Sequence, residues 1–178
     1  VGYSSSGTTT LFNYLTGESK EVGKEMFTTL STFTRSLYIN SNQKLLLSDT
    51  VGFVNKLPAY MIDAFKSTLH ELVFSKLILL VIDVSQTIKK IRINVNSCLH
   101  IINELQIPST KILYLLNKID LTTVDNAYEK AKMLDLKYPN NIVLPISAKT
   151  GYNVNKILDL IDMHVYENNL EIQNSRDS

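Results

Sequence analysis

Cysteine is nearly missing from this chain, and glycine and proline are scarce: one Cys, six Gly and four Pro in 178 residues. A single thiol, Cys98, excludes an intramolecular disulfide and a cysteine-built zinc centre, and it suits a reducing compartment. So little glycine and proline excludes collagen-like and low-complexity classes. A dominant charge is missing too. Lys+Arg 18 against Asp+Glu 17 leaves +1, which argues against a polybasic nucleic-acid binder or an acidic tail protein but leaves room for a local basic patch. The longest apolar run, Leu77 to Ile82, is far short of the ~20 residues a membrane-spanning helix needs. No basic segment followed by an apolar stretch opens the chain, so neither a membrane association nor a signal peptide is expected. What is present is 44% hydrophobic residues, enough for one domain that buries roughly 70% of its unfolded surface. The chain opens at Val1-Gly2 without a methionine and reads as a piece of something longer.

Short apolar runs alternate with longer stretches of helical spacing. Ser36–Asn40 and Lys44–Asp49 read as strands around a polar turn at Ser41-Asn42-Gln43. Lys76–Asp83, Lys111–Asn117 and Ile142–Ile146 read as strands buried on both faces. Helices are expected at Thr8–Leu15, Pro58–Phe74, Ile88–Leu105, Asn126–Lys137 and Asn153–Tyr166. In the third of these, Ile88, Ile91, Val95, Leu99 and Ile102 share one face. Glu167–Ser178 reads as a polar, frayed tail. Alternation of strand and helix is the pattern of an α/β doubly wound sheet, which binds ligands beyond the carboxyl ends of its strands. The polar groups at those ends are Asp49-Thr-Val-Gly, Asp83, Asn117-Lys-Ile-Asp and Ser147-Ala-Lys.

Gly2-Tyr-Ser-Ser-Ser-Gly7-Thr8-Thr9 has the glycine spacing of a phosphate-binding loop, G-x-x-x-x-G-K-[ST]. The glycines let N–H groups curl around a phosphate, and the following helix points its positive end at the charge. Taken alone, the segment is also a Ser/Gly loop capping a helix. Asn117-Lys118-Ile119-Asp120 suits a guanine ring: a carboxylate at Asp120 can accept two hydrogen bonds from the N1–H and N2–H₂ edge, a pair that adenine lacks. Asn117 can bond to the purine and tie down the phosphate loop, and the Lys118 stem can lie over the base plane. Asp49 could hold Mg²⁺ through a water, and the Gly52 N–H could meet a γ-phosphate and let the next segment move on hydrolysis. In Ser147-Ala148-Lys149, the Ala148 N–H would donate to the guanine O6. A solvated strand-to-helix turn explains each piece singly. The shared order, each at a strand's carboxyl end, argues for one nucleotide site.

With these motifs together, the sequence resembles the translation-factor class of P-loop GTPases, and more closely the HflX family of ribosome-associated GTPases. The resemblance runs from Gly2 to about Tyr166. It is carried by Val1-Gly2-Tyr3, Thr10-Leu11-Phe12-Asn13-Tyr14-Leu15-Thr16-Gly17, Phe27-Thr28-Thr29-Leu30, Asp49-Thr50-Val51-Gly52-Phe53-Val54, Ala64-Phe65-Lys66-Ser67-Thr68-Leu69, Asn117-Lys118-Ile119-Asp120 and Pro145-Ile146-Ser147-Ala148-Lys149-Thr150-Gly151.

The resemblance implies a Ras-like fold, a mostly parallel six-stranded sheet flanked by helices, with its first strand truncated before Val1. It implies a GTP-binding domain over residues 1–166, a tail over 167–178, and an N-terminal family domain outside this chain. It implies GTP and GDP as ligands with Mg²⁺ as cofactor. Gly2, Ser5, Ser6, Gly7, Thr8, Thr9 and Thr10 would surround the phosphates, and Asn117, Lys118, Asp120, Ser147, Ala148 and Lys149 the base. Thr9, Thr29 and Asp49 would serve the metal, with Thr34 a second candidate for the switch threonine. Thr29, Gly52 and Phe53 would form the catalytic segment. The implied setting is a cytoplasmic monomer that meets rRNA on the large ribosomal subunit. Related GTPases acting on tRNA or ribosome assembly share the chemistry and differ in partner.

Two departures matter. Thr8 stands where the motif has a lysine that reaches the β- and γ-phosphates, so triphosphate binding should weaken unless another lysine, Lys24 or Lys56, compensates. Phe53 stands where Ras-like enzymes have a water-orienting glutamine; the family shares an apolar residue there, which implies slow intrinsic turnover. Ser5 replaces an asparagine that serves a monovalent cation in some relatives. These departures leave a second reading, a degenerate G domain that binds nucleotide weakly and acts as an interaction module. His70, His100 and His164 have no ligand spacing, Cys98 has no activating neighbour, and Lys89, Lys90 and Arg92 read as a solvated helix face.

Overall fold

The computed structural model describes residues 1–18, 33–39, 44–50, 71–136 and 141–174, with side chains of the last helix described to His164. The phosphate loop leads into helix α1 (Thr8–Thr16). Strands β1 (Phe33–Tyr38) and β2 (Lys44–Asp49) pair antiparallel, from Phe33 opposite Asp49 to Tyr38 opposite Lys44. Then follow β3 (Ile78–Asp83), α2 (Ile88–Glu104), β4 (Ile112–Asn117), α3 (Val124–Met133), β5 (Val143–Pro145) and α4 (Val154–Asn174). Strands β3, β4 and β5 form a parallel sheet in that order.

Alternation along the strands builds a core on each face of this sheet. Ile78, Leu80 and Ile82 of β3, with Ile112, Tyr114 and Leu116 of β4, pack against Ile91, Val95, Cys98 and Ile102 of α2. The intervening Val81, Leu113 and Leu115 pack against Leu11 of α1 and Val154, Ile157 and Ile161 of α4. Each such side chain contributes about 1.5–3 kcal/mol when removed from water. All six residues of β4 are buried, so this strand is fixed from both sides. Tyr114 N–H donates to Ile142 O at 3.0 Å and Ile146 N–H to Leu116 O at 2.9 Å, extending the ladder on both sides of β5.

The six-stranded expectation is corrected in part. Among the described residues the strands fall into one sheet of three and one of two. Between β2 and β3 lies a cleft of about 510 Å³, lined by Leu11, Leu45, Leu47 and Leu79 and reaching Thr8 and Asp49. From the chain's start a short parallel contact enters it: Val1 N donates to Leu79 O at 3.0 Å, Val81 N to Val1 O at 2.9 Å, and Gly2 bridges Val81.

Boundaries also move. β1 begins at Phe33, not Ser36, because the ribbon is largely exposed and its pairing with β2 sets its length. α3 starts at Val124 because the Thr123 hydroxyl caps it, accepting from Asn126 N–H at 3.2 Å. α4 runs on to Asn174, through most of the segment read as a frayed tail. The turn at 41–43, residues 58–70 of the second expected helix, and His70 lie outside the described residues; residues 71–74 are helical. No helix among the described residues is long and apolar enough to cross a membrane.

Candidate functional site: a loop-and-strand-end nucleotide pocket

The carboxyl ends of β3, β4 and β5 and the amino end of α1 converge. In the loop before α1, Ser5 (φ 66°) and Gly7 (φ 98°) are left-handed, a backbone shape that turns successive N–H groups toward one point. Gly7 is required for a second reason: a Cβ there would collide with the Asn117 amide nitrogen. At Gly2 a Cβ would meet the Ser6 hydroxyl, and Val81 O at 2.6 Å. Loop and sheet are thus packed to the limit at two points where the sequence has glycine. The first N–H groups of α1 have no partner inside their helix, so the turn at Gly7-Thr8-Thr9 is an anion-binding end.

Asn117, 2% exposed, ends β4 and joins two loops. Its Nδ2 donates to Ser6 O at 2.8 Å, and its Oδ1 accepts from Ala148 N–H at 2.9 Å. The first contact is the tie to the phosphate loop expected from sequence. The second differs from expectation: the Ala148 N–H, assigned to a guanine O6, is engaged inside the protein. Ser147 hydroxyl donates to Asp120 Oδ1 at 2.6 Å and accepts from Thr150 N–H at 3.2 Å. Asp120 itself is exposed at the rim, and Lys149 is exposed beside it.

Lys118 adopts a left-handed backbone (φ 71°). Its ammonium donates to Ser5 O at 2.8 Å and to Asp83 Oδ2 at 2.7 Å. Asp83, 8% exposed, ends β3 opposite Asn117. Its other oxygen accepts from Ser85 N–H at 3.0 Å and the Ser85 hydroxyl at 2.6 Å. Burial pushes the Asp83 carboxyl upward, but the Lys118 ammonium and the Ser85 donors outweigh it and hold the group below its usual range. From sequence Asp83 had a place at a strand end but no role.

At the phosphate end, Thr9 hydroxyl donates to Asp49 Oδ2 at 3.0 Å, and Asp49 is 6% exposed. Two hard oxygens side by side fit Mg²⁺, which takes one or two protein ligands and completes its shell with water and phosphate. Among the described residues no cluster of three His, Cys, Asp or Glu offers an alternative metal cage. Thr8 and Thr10 are half-buried in the first turn of α1, and the Thr8 methyl group sits 3.1 Å from where a Gly2 Cβ would lie. Two buried hydroxyls here, Ser6 Oγ and Thr50 Oγ1, have no hydrogen-bond partner among the described residues; sequence reasoning gave no sign of either orphan. Thr34 lies on β1 and shares a hydrogen bond with Ser48 Oγ at 2.7 Å. Thr29, Gly52, Phe53, Lys24 and Lys56 lie outside the described residues.

Two of the residues set aside on sequence grounds are described away from this pocket. The Cys98 thiol is buried in the core, and burial pushes it up to about 12. His100 is exposed and sits 3.6 Å from Glu104 on the same helix.

A family profile described as "50S ribosome-binding GTPase" matches residues 1–118. The GTPase HflX of Methanocaldococcus jannaschii is 38% identical over 173 residues, 97% of this chain and 41% of that protein. The chain belongs to the HflX family of GTPases. The GTPase HflX of Thermococcus kodakarensis is 36% identical over 163 residues, 91% of this chain and 37% of that one. A solved structure of a GTP-binding protein from Sulfolobus solfataricus in complex with GDP matches with a TM-score of 0.74 and 32% identity, over 93% of this chain and 51% of that one. The chain therefore spans about two fifths of the length of these HflX relatives, and its fold is that of a P-loop GTPase domain.

Proposed function

We propose that this chain is a guanine-nucleotide switch domain that binds GDP and GTP with Mg²⁺, hydrolyses GTP slowly, and signals to the large ribosomal subunit. The observation that carries the reading is the double tie made by Asn117, to Ser6 O and Ala148 N–H. In this reading that buried amide holds the base loop and the phosphate loop at fixed separation, as one ligand spanning both requires.

In this reading Asp120 accepts from the guanine N1–H and N2–H₂ edge, with Ser147 fixing its carboxylate. The Lys118 stem covers one face of the base. Since the Ala148 N–H is committed to Asn117, the Lys149 backbone beside it is the remaining donor of that motif for O6. The α1 amino end and the Ser4–Gly7 loop receive the phosphates. Thr9 and Asp49, with Thr29 from the switch segment, are the residues that would hold Mg²⁺, which when bound neutralises charge between the β- and γ-phosphates. Gly52 lets the next segment move, and Phe53, unable to hydrogen-bond a water, leaves turnover slow until a partner completes the site. The domain covers residues 1–166 and the last residues form an appendage; the family's N-terminal domain, rRNA contact, a monomeric state and a cytoplasmic location complete the proposal by family resemblance.

Titration calorimetry with GDP, a non-hydrolysable GTP analogue and ATP, each with Mg²⁺, tests the reading. Guanine nucleotides should bind at micromolar or tighter affinity, and ATP should not bind. Absence of binding by both guanine nucleotides would overturn it. Thr8 favours one second reading. A neutral side chain at that position removes the cation from the phosphate end, and a domain so altered would act as an interaction module holding GDP weakly or nothing.

A further inference from the structure

Two left-handed residues on two different loops face each other across the pocket, Ser5 (φ 66°) and Lys118 (φ 71°). Neither is glycine, so each holds a sparsely populated backbone shape that its surroundings must maintain. One ammonium links them: Lys118 Nζ sits 2.8 Å from Ser5 O. A lysine is a poor fixed strut by itself. Its four-carbon stem is flexible and its charge is satisfied by water in many positions. Here the position is set from below by Asp83, 2.7 Å away and 8% exposed. Asp83 is in turn held by Ser85 N–H at 3.0 Å, the Ser85 hydroxyl at 2.6 Å and Gln86 Nε2 at 3.1 Å. The loop carrying Ser85 and Gln86 is itself pinned, because Lys130 Nζ donates to Val84 O at 2.8 Å and Gln86 O at 3.0 Å.

We propose that Asp83 is a positioning residue for the nucleotide pocket. It acts through Lys118: the carboxylate fixes the ammonium on Ser5 O, which pre-sets both the shape of the phosphate loop and the lysine stem that covers the base. Asp83 touches no ligand. Its arm of the network matters more in this chain because position 8, inside the same phosphate loop, carries threonine and supplies no ammonium of its own. The part that concerns affinity rests on the guanine-nucleotide reading. The part that concerns the tether does not.

Two measurements separate these parts. The first is amide hydrogen exchange without nucleotide, read at Ser6, whose N–H donates to Tyr3 O at 3.0 Å within the loop, against core amides of β4 as reference. Asp83→Asn should speed Ser6 exchange about tenfold relative to the core, as expected when one charge-assisted hydrogen bond is lost. Lys118→Gln should do the same, and the double variant should add nothing. Unchanged Ser6 exchange in Lys118→Gln overturns the proposal, and this variant serves alone if Asp83→Asn fails to fold. The second is GDP affinity by calorimetry in the same variants. Asp83→Asn should weaken GDP about tenfold when Lys118 is present and have no further effect in Lys118→Gln. An equal loss in both backgrounds means Asp83 acts on stability alone and overturns the proposal. If the unaltered chain fails to bind GDP, the functional reading falls while the exchange result still decides the tether.

Discussion

The two ends of the pocket are built differently. At the base end nearly every polar side chain is held: Asn117 by two loops, Lys118 by Ser5 and Asp83, Asp120 by Ser147, all at 2.6–2.9 Å. At the phosphate end the motif's lysine is a threonine, and two buried hydroxyls, Ser6 Oγ and Thr50 Oγ1, have no partner among the described residues. A buried hydroxyl without a hydrogen bond costs about 1–3 kcal/mol. On the proposed reading, the base end is held in place without ligand, whereas the phosphate end carries groups that a ligand's oxygens would satisfy. Selectivity for the base and strength of phosphate binding would then be separable, and variants should move one without the other.

The largest effect is expected where the two ends are joined. Asn117→Ala leaves Ser6 O and the Ala148 N–H unpaired in a site that is 2% exposed. Two lost buried hydrogen bonds should lower stability by about 2–4 kcal/mol. For a domain of this size that is a fall in Tm of roughly 5–12 °C, measurable by thermal unfolding. GDP binding should be lost with it. A variant that kept its Tm would show the two loops to be independent.

Next in size is Asp120→Ala. The side chain is exposed but accepts from the buried Ser147 hydroxyl, so its loss should lower Tm by only about 2–4 °C. Guanine affinity should fall about a hundredfold or more, because donors on the base edge lose a charged acceptor. Calorimetry with GDP reads it, and an unchanged affinity would break the assignment of this end to the base.

Thr8→Lys sharpens the contrast from the other side. An ammonium placed in the first turn of α1 should raise affinity for a GTP analogue about tenfold while leaving the preference for guanine over adenine as it was. If the analogue gains nothing, the missing cation is not what limits the phosphate end.

How much of this was readable beforehand follows the same division. β4 was legible because six consecutive buried residues leave a strand no other place. The strand-end residues Asn117 and Ser147 were legible because the doubly wound topology dictates where polar groups gather. β1 was placed late because an exposed ribbon has no burial pattern to read, and its start is set by pairing with β2. The expected sheet has a truncated first strand, and among the described residues Val1 and Gly2 make the short parallel contact with β3 on that side. Asp83 carried no signature beyond its position, since its partner Lys118 lies 35 residues away in sequence. The contact of the Ala148 N–H with Asn117 Oδ1 is not legible for a related reason: which acceptor an amide meets depends on side-chain placement that spacing does not encode.

A smaller effect concerns acid. The Asp83 carboxyl titrates below its ordinary value of 3.8 when folded, despite its burial, because Lys118 and Ser85 favour the charged form. Its contribution to stability is therefore complete above that ordinary value and is lost as pH falls through the depressed folded value. Subtracting the stability of Asp83→Asn from that of the unaltered chain, by denaturant unfolding between about pH 3 and pH 7, should give a difference that is level at neutral pH and shrinks at the acid end. A difference that is flat throughout would mean Lys118 does not hold the carboxylate charged.

The smallest expected effect tests the phosphate end most directly. Ser6 Oγ is buried, lies against Gly2, and has no hydrogen bond among the described residues. If that hydroxyl waits for a phosphate oxygen, Ser6→Ala removes an uncompensated polar atom from the empty protein and a donor from the occupied one. The free chain should then gain up to about 1 kcal/mol, a rise of some 2–4 °C in Tm, while GDP affinity falls by about the factor one hydrogen bond supplies. If the hydroxyl is merely tolerated, the gain in Tm appears without any loss of affinity. The sign of the second measurement decides whether the phosphate end is an impaired site or a site whose binding groups have been redistributed from a lysine to neutral donors around it.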